Sequence, residues 1–531
     1  MDLNTLLIIL VGIVLFIFGI ENFSKEIQRA AGSWLNNILR KAVKNKWQGS
    51  FFGFLTTAIV NSSTATTLIA ISLVNAGLIS FAQSLPIIFG ANVGSTITAQ
   101  LIAFKLTKFA IVFLLIGFIL TFISKTKFFG RSLFYFGLVF FALNLISDAV
   151  TPFSKDPRIL EFFFKYNNFF ILIFVSFLFT ILVNSSALTL GLIIVLASKG
   201  FFGLNESFFL ILGANLGTTI STLLASFRMD LYAKRTAVAH FLFNFLGVIL
   251  ILPFVPFFLK LILFFGGSIE RQIANAHLFF NFSVALVFLI YLNSFKKLVD
   301  FLVKGNEEEI ILSPKYLTEK LPSKNEEAFV LIEKELRNAM ENNEKVLFYS
   351  KEFLEKKDEK ILRKIKKLCR LSNIISHSIG NALFELSTRK LNEQEAKRIL
   401  YLVRLNNSVE QLGDLAGDLA FLPDKLLEKN FAEAIDYKQI NNLFDFTLFI
   451  FKKLKADFPH SIERDFFDSL KTKKIIAFLD KEYYLNLKDL RKEKYVAGSF
   501  FVESCSIIEN ILFKLKEIGV LIKNFKHNKN V

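Results

Sequence analysis

Cysteine is scarce in this chain of 531 residues, which contains only Cys369 and Cys505. Neither residue belongs to a Cys-x-x-Cys pair or to a Cys/His cluster with metal-ligand spacing. The sequence therefore indicates neither a fold stabilised by several disulfides nor a zinc site. We interpret the two cysteines as reduced structural thiols in a cytoplasmic compartment.

Charged residues are scarce too, but only in the first part of the chain. Residues 1–305 contain 23 of the 63 Lys and Arg and 10 of the 46 Asp and Glu. The chain as a whole is 53% hydrophobic, has 65 Phe and carries a formal net charge of +17. The step in charge density near Lys304-Gly305 predicts two domains of different solvent class, residues 1–305 and 306–531.

The basic residues of the first part lie in short loops between apolar runs, as Lys44 and Lys296-Lys297 do. Nucleic-acid-binding proteins instead interleave basic clusters with aromatic residues on a soluble face. The positive-inside rule of membrane proteins explains the loop positions more simply. We therefore expect a lipid bilayer as a partner and no nucleic acid.

Apolar runs long enough to cross a bilayer fill the first part. The N-terminal run lacks a basic n-region and a small-residue cleavage pattern, so we interpret it as a retained transmembrane helix and not as a signal peptide. Segments 51–78 and 184–203 are apolar but irregular, which predicts re-entrant hairpins and broken helices. The candidate spans are residues 6–23, 85–104, 109–123, 133–150, 169–183, 208–227, 237–265 (broken by Pro253 and Pro256) and 277–292.

The irregular segments match each other. Asn61-Ser62-Ser63-Thr64 recurs as Asn184-Ser185-Ser186-Ala187, and the GANVG at 90–94 recurs as GANLG at 213–217. Both pairs are separated by 123 positions, as are Gly77 and Gly200. A fixed separation indicates an internal duplication. Paired, Gly-interrupted apolar segments in corresponding halves are typical of the binding site of a transporter.

The repeated hydroxyl groups are suited to a small anion. A divalent anion inside a membrane needs many donors, and Ser and Thr hydroxyls add to the free N–H groups at a half-helix N-terminus. These segments contain no acid, base or thiol arranged for nucleophilic catalysis, so we predict transport and not an enzyme. The candidate anion ligands are Ser62, Ser63, Thr64, Ser185 and Ser186.

The amide and hydroxyl oxygens nearby are suited to sodium, which prefers several hard oxygens and carbonyls freed where a helix unwinds. The neighbouring glycines would permit such unwinding. The candidate sodium ligands are Asn61, Thr66, Asn92, Ser95, Thr96, Asn184, Asn215, Thr218 and Thr219.

The alternative is purely structural, because small and hydroxyl residues in membrane helices often serve close packing or bond to the preceding turn. Repetition at one separation favours a site over that alternative. The sequence around His240 and Asn244 recurs around His277 and Asn281, with His and Asn four residues apart on one helical face. For both histidines we favour a structural role.

These motifs resemble those of the type II sodium/phosphate cotransporters and their bacterial relatives. The resemblance covers residues 5–295 and rests on Ser62-Ser63-Thr64-Ala65-Thr66-Thr67, both GANxG segments, the stretch 233–240 and Phe16-Ile17-Phe18-Gly19. It implies an all-α fold with two inverted repeats containing re-entrant hairpins, at about residues 5–125 and 130–295. It also implies that the repeated motifs bind phosphate and Na+. The leading Gln of the family motif is Asn61 and Asn184 here, and the last Ser is Thr64 and Ala187.

Residues 306–531 predict a soluble bundle of amphipathic helices, with Pro423 and Pro459 as helix breakers. The stretch 406–416 resembles the signature of PhoU-like phosphate regulators, in which such carboxylates bind metal ions. The resemblance implies a divalent or transition metal at Glu410, Asp414 and Asp418, and we favour a solvated acidic face over it. A bundle this charged that follows Lys296-Lys297 is expected in the cytoplasm.

Three functions are compatible with these patterns. The first is sodium-coupled transport of inorganic phosphate across the cytoplasmic membrane, with Na+ as coupling ion and regulation by the PhoU-like bundle. The second is a membrane-anchored phosphate sensor, and the third is a transporter of another small oxyanion. The direction of transport, a homodimer and a cytoplasmic phosphate-signalling partner are left open by the sequence.

Overall fold

The computed structural model describes residues 3–41, 45–104, 106–124, 126–156, 158, 168–317, 320–427, 437–455, 458–459 and 495–529. All regular elements within these ranges are helices, so the all-α prediction is confirmed in the described residues. The described chain divides into two compact units, Met1–Glu309 and Ile310–Val531.

Fourteen α-helices belong to the first unit within the described residues. They are α1 (Leu3–Lys41), α2 (Lys46–Val60), α3 (Ser63–Asn75), α4 (Phe81–Gly94), α5 (Thr96–Ala103), α6 (Ala110–Thr121), α7 (Lys127–Val150), α8 (Phe169–Val183), α9 (Ser186–Ser198), α10 (Leu204–Ser226), α11 (Leu231–Ile251), α12 (Val255–Phe265), α13 (Ile269–Ile290) and α14 (Leu292–Leu302).

Among the described residues of the first unit, six helical stretches are long and apolar enough to cross a membrane: Leu3–Arg29, Phe81–Ala103, Lys127–Ser154, Leu204–Ser226, Leu231–Phe265 and Ile269–Ile290. These correspond to six of the eight candidate spans. The other two candidates, residues 109–123 and 169–183, form the shorter helices α6 and α8, of 12 and 15 residues. An α-helix rises about 1.5 Å per residue, so both are shorter than a bilayer core of roughly 30 Å.

Segments 51–78 and 184–203 are less irregular than predicted. Each consists mainly of helix and is interrupted by two residues, Asn61-Ser62 between α2 and α3 and Asn184-Ser185 between α8 and α9. Ser and Thr side chains within these helices bond to neighbouring hydroxyls and carbonyls, so the polar residues do not disrupt the helix. The predicted break is therefore real but short.

Phenylalanine builds the core of the first unit. Phe16, Phe89, Phe140 and Phe208 are fully buried, and Phe89 stacks on Phe243 with ring centroids 4.9 Å apart. Stacked aromatic pairs add about 0.5–1.5 kcal/mol to the free energy gained by burying their area. This packing fixes the helices that carry the repeated motifs.

The second unit contains α15 (Asn325–Lys356), α16 (Glu359–Ser387), α17 (Glu393–Leu427), α18 (Tyr437–Lys455) and α19 (Tyr495–Lys529) among the described residues. Its core buries the apolar faces of these helices, for example Leu336, Ile375 and Leu412. The prediction that Pro423 breaks a helix is wrong, because α17 continues through it to Leu427. A proline inside a helix removes one hydrogen bond to the carbonyl four residues earlier, which can kink the helix without ending it. Pro459 lies in a turn.

Candidate functional site

Asn61 and Asn184 end the helices before the two breaks, and both adopt left-handed backbone conformations. Asn61 has φ 56° and ψ 32°, and Asn184 has φ 49° and ψ 30°. Among residues with a Cβ atom, Asn tolerates this region best because its short polar side chain hydrogen-bonds locally. The replacement of the family's Gln by Asn therefore agrees with the backbone at both positions.

Ser62 and Ser185 cap the helices after the breaks. The Ser62 hydroxyl accepts a hydrogen bond from the N–H of Ala65 at 3.2 Å, and the Ser185 hydroxyl accepts one from Leu188 at 3.3 Å. The first N–H groups of a helix have no acceptor within the helix. Each repeat therefore presents a short helix whose N-terminus carries hydroxyls, free N–H groups and a partial positive charge.

In each repeat, a hydrogen bond between two threonines joins the helices on either side of the break. Thr57 in α2 donates to Thr66 in α3 at 2.9 Å, and Thr180 and Thr189 make the same contact at 2.8 Å between α8 and α9. The separation of 123 positions seen in the sequence therefore also relates contacts in three dimensions. Thr66, a predicted sodium ligand, is fully buried in this contact.

One cavity of about 270 Å³ is lined by both copies of the motif. Asn61, Ser62, Ser63, Thr64 and Ala65 come from the first copy, and Asn184, Ser185, Ser186 and Ala187 come from the second. The structure thus brings together all five predicted anion ligands and both asparagines that lead the motifs. A cavity lined by two helix N-termini is suited to a small anion.

The glycines of the GANxG segments serve close packing and not unwinding. A Cβ atom on Gly90 would lie 1.8 Å from the carbonyl oxygen of Ser50, and one on Gly213 would lie 2.1 Å from that of Ile173. Both glycines lie inside helices, α4 and α10. The expectation that these glycines permit unwound backbone is therefore wrong: they allow α4 to pack on α2 and α10 on α8.

The remaining predicted sodium ligands are divided between the cavity and the protein interior. Ser95 lines the cavity, and Thr98, which sequence patterns did not single out, lines it too and donates to the side chain of Asn61. Four hydroxyls bond to carbonyls of the preceding turn, as the structural alternative predicts. These four donors, with their acceptors, are Ser95 to Asn92, Thr96 to Val93, Thr218 to Ala214 and Thr219 to Leu216.

The asparagine of each GANxG segment contacts one of the two His-Asn copies. Asn92 accepts a hydrogen bond from the amide of Asn244 at 3.2 Å, which joins α4 to α11. Asn215 accepts one from Nε2 of His277 at 3.2 Å, which joins α10 to α13. Nδ1 of His240 is hydrogen-bonded to the hydroxyl of Thr222 at 3.0 Å. Both histidines thus have side-chain partners on other helices, in agreement with a structural role.

Helix α1 contributes a polar wall of the cavity that sequence patterns alone did not indicate. Glu21, Ser24, Lys25 and Gln28 line the cavity, and Lys25 pairs with Glu21 at 3.1 Å. The candidate span ended at residue 23, before most of these residues. Their spacing of three, four and seven residues places them on one helical face. This spacing is the feature of the sequence from which a polar face of α1 could have been predicted.

The metal ligands predicted in the second unit do not assemble. Glu410, Asp414 and Asp418 are exposed, and within the described residues no three His, Cys, Asp or Glu side chains are placed to hold a metal ion. Burial, together with the charges of Asp414 and Asp418, raises the pKa of the nearby Cys369 thiol to about 11. Cys369 is therefore protonated at neutral pH. The exposure of the three carboxylates is what a solvated acidic face predicts.

The sequence of the first unit is similar to that of known proteins. The Na+/Pi-cotransporter family matches residues 15–148 and 158–269. The "Uncharacterized protein YqeW" of Bacillus subtilis is 31% identical over 247 residues, which are 46% of this chain and 80% of that protein. The matched residues contain both motifs and the cavity.

Two named relatives match over smaller shares of their length. The "Putative inorganic phosphate export protein YjbB" of Escherichia coli is 30% identical over 256 residues, 47% of this chain and 47% of that protein. The "Sodium-dependent phosphate transport protein 2A" of Ovis aries is 32% identical over 91 residues, 17% of this chain and 14% of that protein. The match thus spans about half the length of the first of these relatives. No solved structure matches the chain significantly.

The residues matched by the family contain both motif copies, and the match to the Bacillus relative covers four fifths of that protein. The second unit lies outside the matched residues. The chain belongs to the Na+/Pi-cotransporter family, a family of transporters and not of enzymes.

Proposed function

We propose that the chain transports inorganic phosphate across the cytoplasmic membrane by sodium-coupled secondary active transport. The observation that carries this proposal is the single cavity lined by both motif copies, at the N-termini of α3 and α9. Hydroxyls and free N–H groups there supply neutral donors for a phosphate. Ser62, Ser63, Thr64, Ser185 and Ser186 are the proposed phosphate ligands.

Sodium is proposed to bind around the asparagines of the two repeats. Asn61, Asn184 and Ser95 offer oxygens at the cavity itself. Asn92 and Asn215 are buried, as are Thr96 and Thr219. Thr66 and Thr218 complete the proposed set. Hydroxyl and amide oxygens of this kind are the ligands found at the sodium sites of secondary transporters.

We further propose that residues 5–125 and 130–295 are inverted repeats and that each break lies in a re-entrant hairpin. Helices α2 and α3 have 15 and 13 residues, and each would span roughly 20 Å of a bilayer core of roughly 30 Å. The Thr57–Thr66 contact folds α3 back onto α2 directly after the break. The second repeat has matching lengths and the matching contact.

Residues 306–531 are proposed to form a cytoplasmic, PhoU-like regulatory bundle. The support is the amphipathic helices of the second unit and the stretch 406–416. Reporter fusions at residue 305 and at the C-terminus would test the location, because only cytoplasmic ends keep a periplasm-dependent reporter inactive. A phosphate-signalling partner and a homodimer are compatible with this arrangement.

Binding of labelled phosphate to the purified chain in nanodiscs, with Na+ or K+, tests the proposal at its site. We expect sodium-dependent binding that unlabelled phosphate displaces and sulfate does not. Displacement by sulfate at equal concentration would favour a transporter of another oxyanion. Binding without flux in liposomes would favour the sensor. Loading liposomes with phosphate and imposing Na+ gradients of either sign would establish the direction, which the name of the Escherichia coli relative suggests is export.

A further inference from the structure

The cavity contains one opposite-charge pair, and this pair stands on α1. Of the described residues that line the cavity, only Glu21 and Lys25 carry a charge. The other polar lining residues, from α1, both motifs, Ser95 and α5, are Ser, Thr, Asn and Gln. The net fixed charge of the lining side chains is therefore close to zero.

Glu21 and Lys25 are held where both can reach a ligand. They are four residues apart on one face of α1, together with Ser24 and Gln28, whose side chains are hydrogen-bonded to each other at 3.1 Å. The Lys25 ammonium lies 3.1 Å from the Glu21 carboxylate, and the two side chains are 58% and 56% exposed. Because neither side chain is packed into the core, a ligand that enters the cavity can reach both and compete with the pair.

Each partner matches one of two oppositely charged ligands. A lysine ammonium is a compact point charge on a flexible stem and binds phosphate well. A carboxylate is a hard oxygen ligand that suits a cation. If an anion binds Lys25 alone, the Glu21 carboxylate loses its partner and faces that anion inside one cavity, which is unfavourable. A cation bound at Glu21 removes the repulsion.

We propose that Glu21 and Lys25 exchange partners on loading: Lys25 leaves Glu21 for phosphate, and Glu21 takes Na+. The exchange makes the binding of either ion favour the binding of the other, which is a coupling free energy between two sites. This inference rests on the proposed function and adds to it two residues that act directly on the ligands. The repeated motifs then supply the neutral donors, and α1 supplies the charges.

Equilibrium binding of labelled phosphate to the full chain, over a series of Na+ concentrations, tests the exchange. We expect Lys25→Gln to weaken phosphate binding at saturating Na+ by about tenfold. Glu21→Gln should do the opposite at low Na+: phosphate binding strengthens about fivefold, because Lys25 is free, and its dependence on Na+ becomes shallower. A residue with a merely structural role would not produce this gain.

The double variant Glu21→Gln with Lys25→Gln completes a mutant cycle, and the exchange predicts that the two single effects are not additive. Glu393 and Lys397, an exposed pair of the same spacing at 2.7 Å on α17, provide the matched control, and their Gln variants should bind phosphate as the unmodified chain does. Binding by Glu21→Gln with the same Na+ dependence as the unmodified chain would overturn the exchange.

The outcomes separate the two proposals. If the unmodified chain binds phosphate with Na+ and Ser62→Ala does not, while the Glu21 and Lys25 variants behave normally, the exchange is wrong and the proposed function stands. If the unmodified chain binds no phosphate at any Na+ concentration, both proposals are wrong. Circular dichroism of every variant checks that the helices are intact.

Discussion

Thr57 and Thr66 are joined by a 2.9 Å hydrogen bond across the first helix break. The bond holds the end of α2 against the start of α3, so Asn61 and Ser62 form a tight reversal between them. Thr180 and Thr189 hold the second break in the same way. Both reversals line one cavity, so the structure brings the capping serines of the two repeats together.

Replacing either capping serine should remove phosphate binding while the protein still folds. Ser62→Ala and Ser185→Ala each delete a ligand hydroxyl and a helix cap, and the cap is worth about 1 kcal/mol of stability. We expect phosphate binding to fall at least tenfold, measured by equilibrium binding. The control is Ser80→Ala, which removes the cap of α4 outside the cavity lining. Equal loss in Ser80→Ala would attribute the effect to stability and not to the site.

Asn61 has a backbone role, because it adopts the left-handed conformation, and a side-chain role at the cavity. Two substitutions can separate these roles. Asn61→Gly keeps the backbone conformation but removes the side chain that lines the cavity and accepts from Thr98. Asn61→Ala removes the same side chain and adds a backbone cost of about 1–2 kcal/mol. Thermal unfolding should therefore show a greater loss in the Ala variant, and Na+-dependent phosphate binding should weaken equally in both. Unchanged binding in Asn61→Gly would exclude Asn61 from the site.

The repeated glycines should be intolerant of any side chain. Gly90→Ala would place a Cβ atom 1.8 Å from the backbone oxygen of Ser50, so α4 must move away from α2. We expect a loss of about 3 kcal/mol or more, seen as a large fall in the thermal unfolding midpoint. Gly380 in α16 is the control, since nothing lies within 4 Å of the position that its Cβ atom would take. Gly380→Ala should gain about 0.5–1 kcal/mol, and equal midpoints for the two variants would contradict the packing role.

Glu309 should make the first unit more stable at acidic pH. Its carboxylate accepts a hydrogen bond from the N–H of Phe81, the first residue of α4. Burial, the largest effect, raises its pKa above the ordinary value of 4.5, so the folded state holds the proton more tightly than the unfolded state. The stability from this group is complete below pH 4.5 and is lost as the pH rises through the raised pKa.

Thermal unfolding from about pH 4 to about pH 8 tests this for Glu309→Gln and Glu309→Ala. The Gln variant keeps an acceptor for Phe81 and should show a shallower pH dependence than the unmodified chain. The Ala variant leaves the Phe81 N–H without this acceptor and should lose about 1–3 kcal/mol at acidic pH. Its loss relative to the unmodified chain should become smaller as the pH rises through the raised pKa of Glu309. Identical pH profiles for the unmodified chain and the Gln variant would show that Glu309 does not titrate in this range.

Local patterns were sufficient to predict most of the helices, the duplication and the motif residues that line the cavity. Asn61-Ser62 and Asn184-Ser185 are recognisable because Asn ends helices in the left-handed region and Ser caps the next one. Long apolar runs predict α1 and α13 for the same local reason, namely their length and hydropathy.

Features that depend on contacts between distant segments were not predictable. The close approach of Gly90 to Ser50 and the pairing of Asn92 with Asn244 arise only when helices pack. The polar face of α1 was missed because Glu21 and Lys25 follow the apolar run and meet the motifs only in three dimensions. The continuation of α17 through Pro423 was missed because proline was taken to end a helix, whereas a helix can continue past a proline with one hydrogen bond lost.

The central claim is that this chain couples phosphate movement to sodium. The most direct test is radiolabelled phosphate flux in proteoliposomes of the purified chain, with a Na+ gradient compared with an equal K+ gradient. We expect phosphate to accumulate against its own gradient with Na+ only, and Ser62→Ala to abolish this accumulation. Flux that is equal in Na+ and K+, or no flux by a chain that binds phosphate, would contradict sodium-coupled transport.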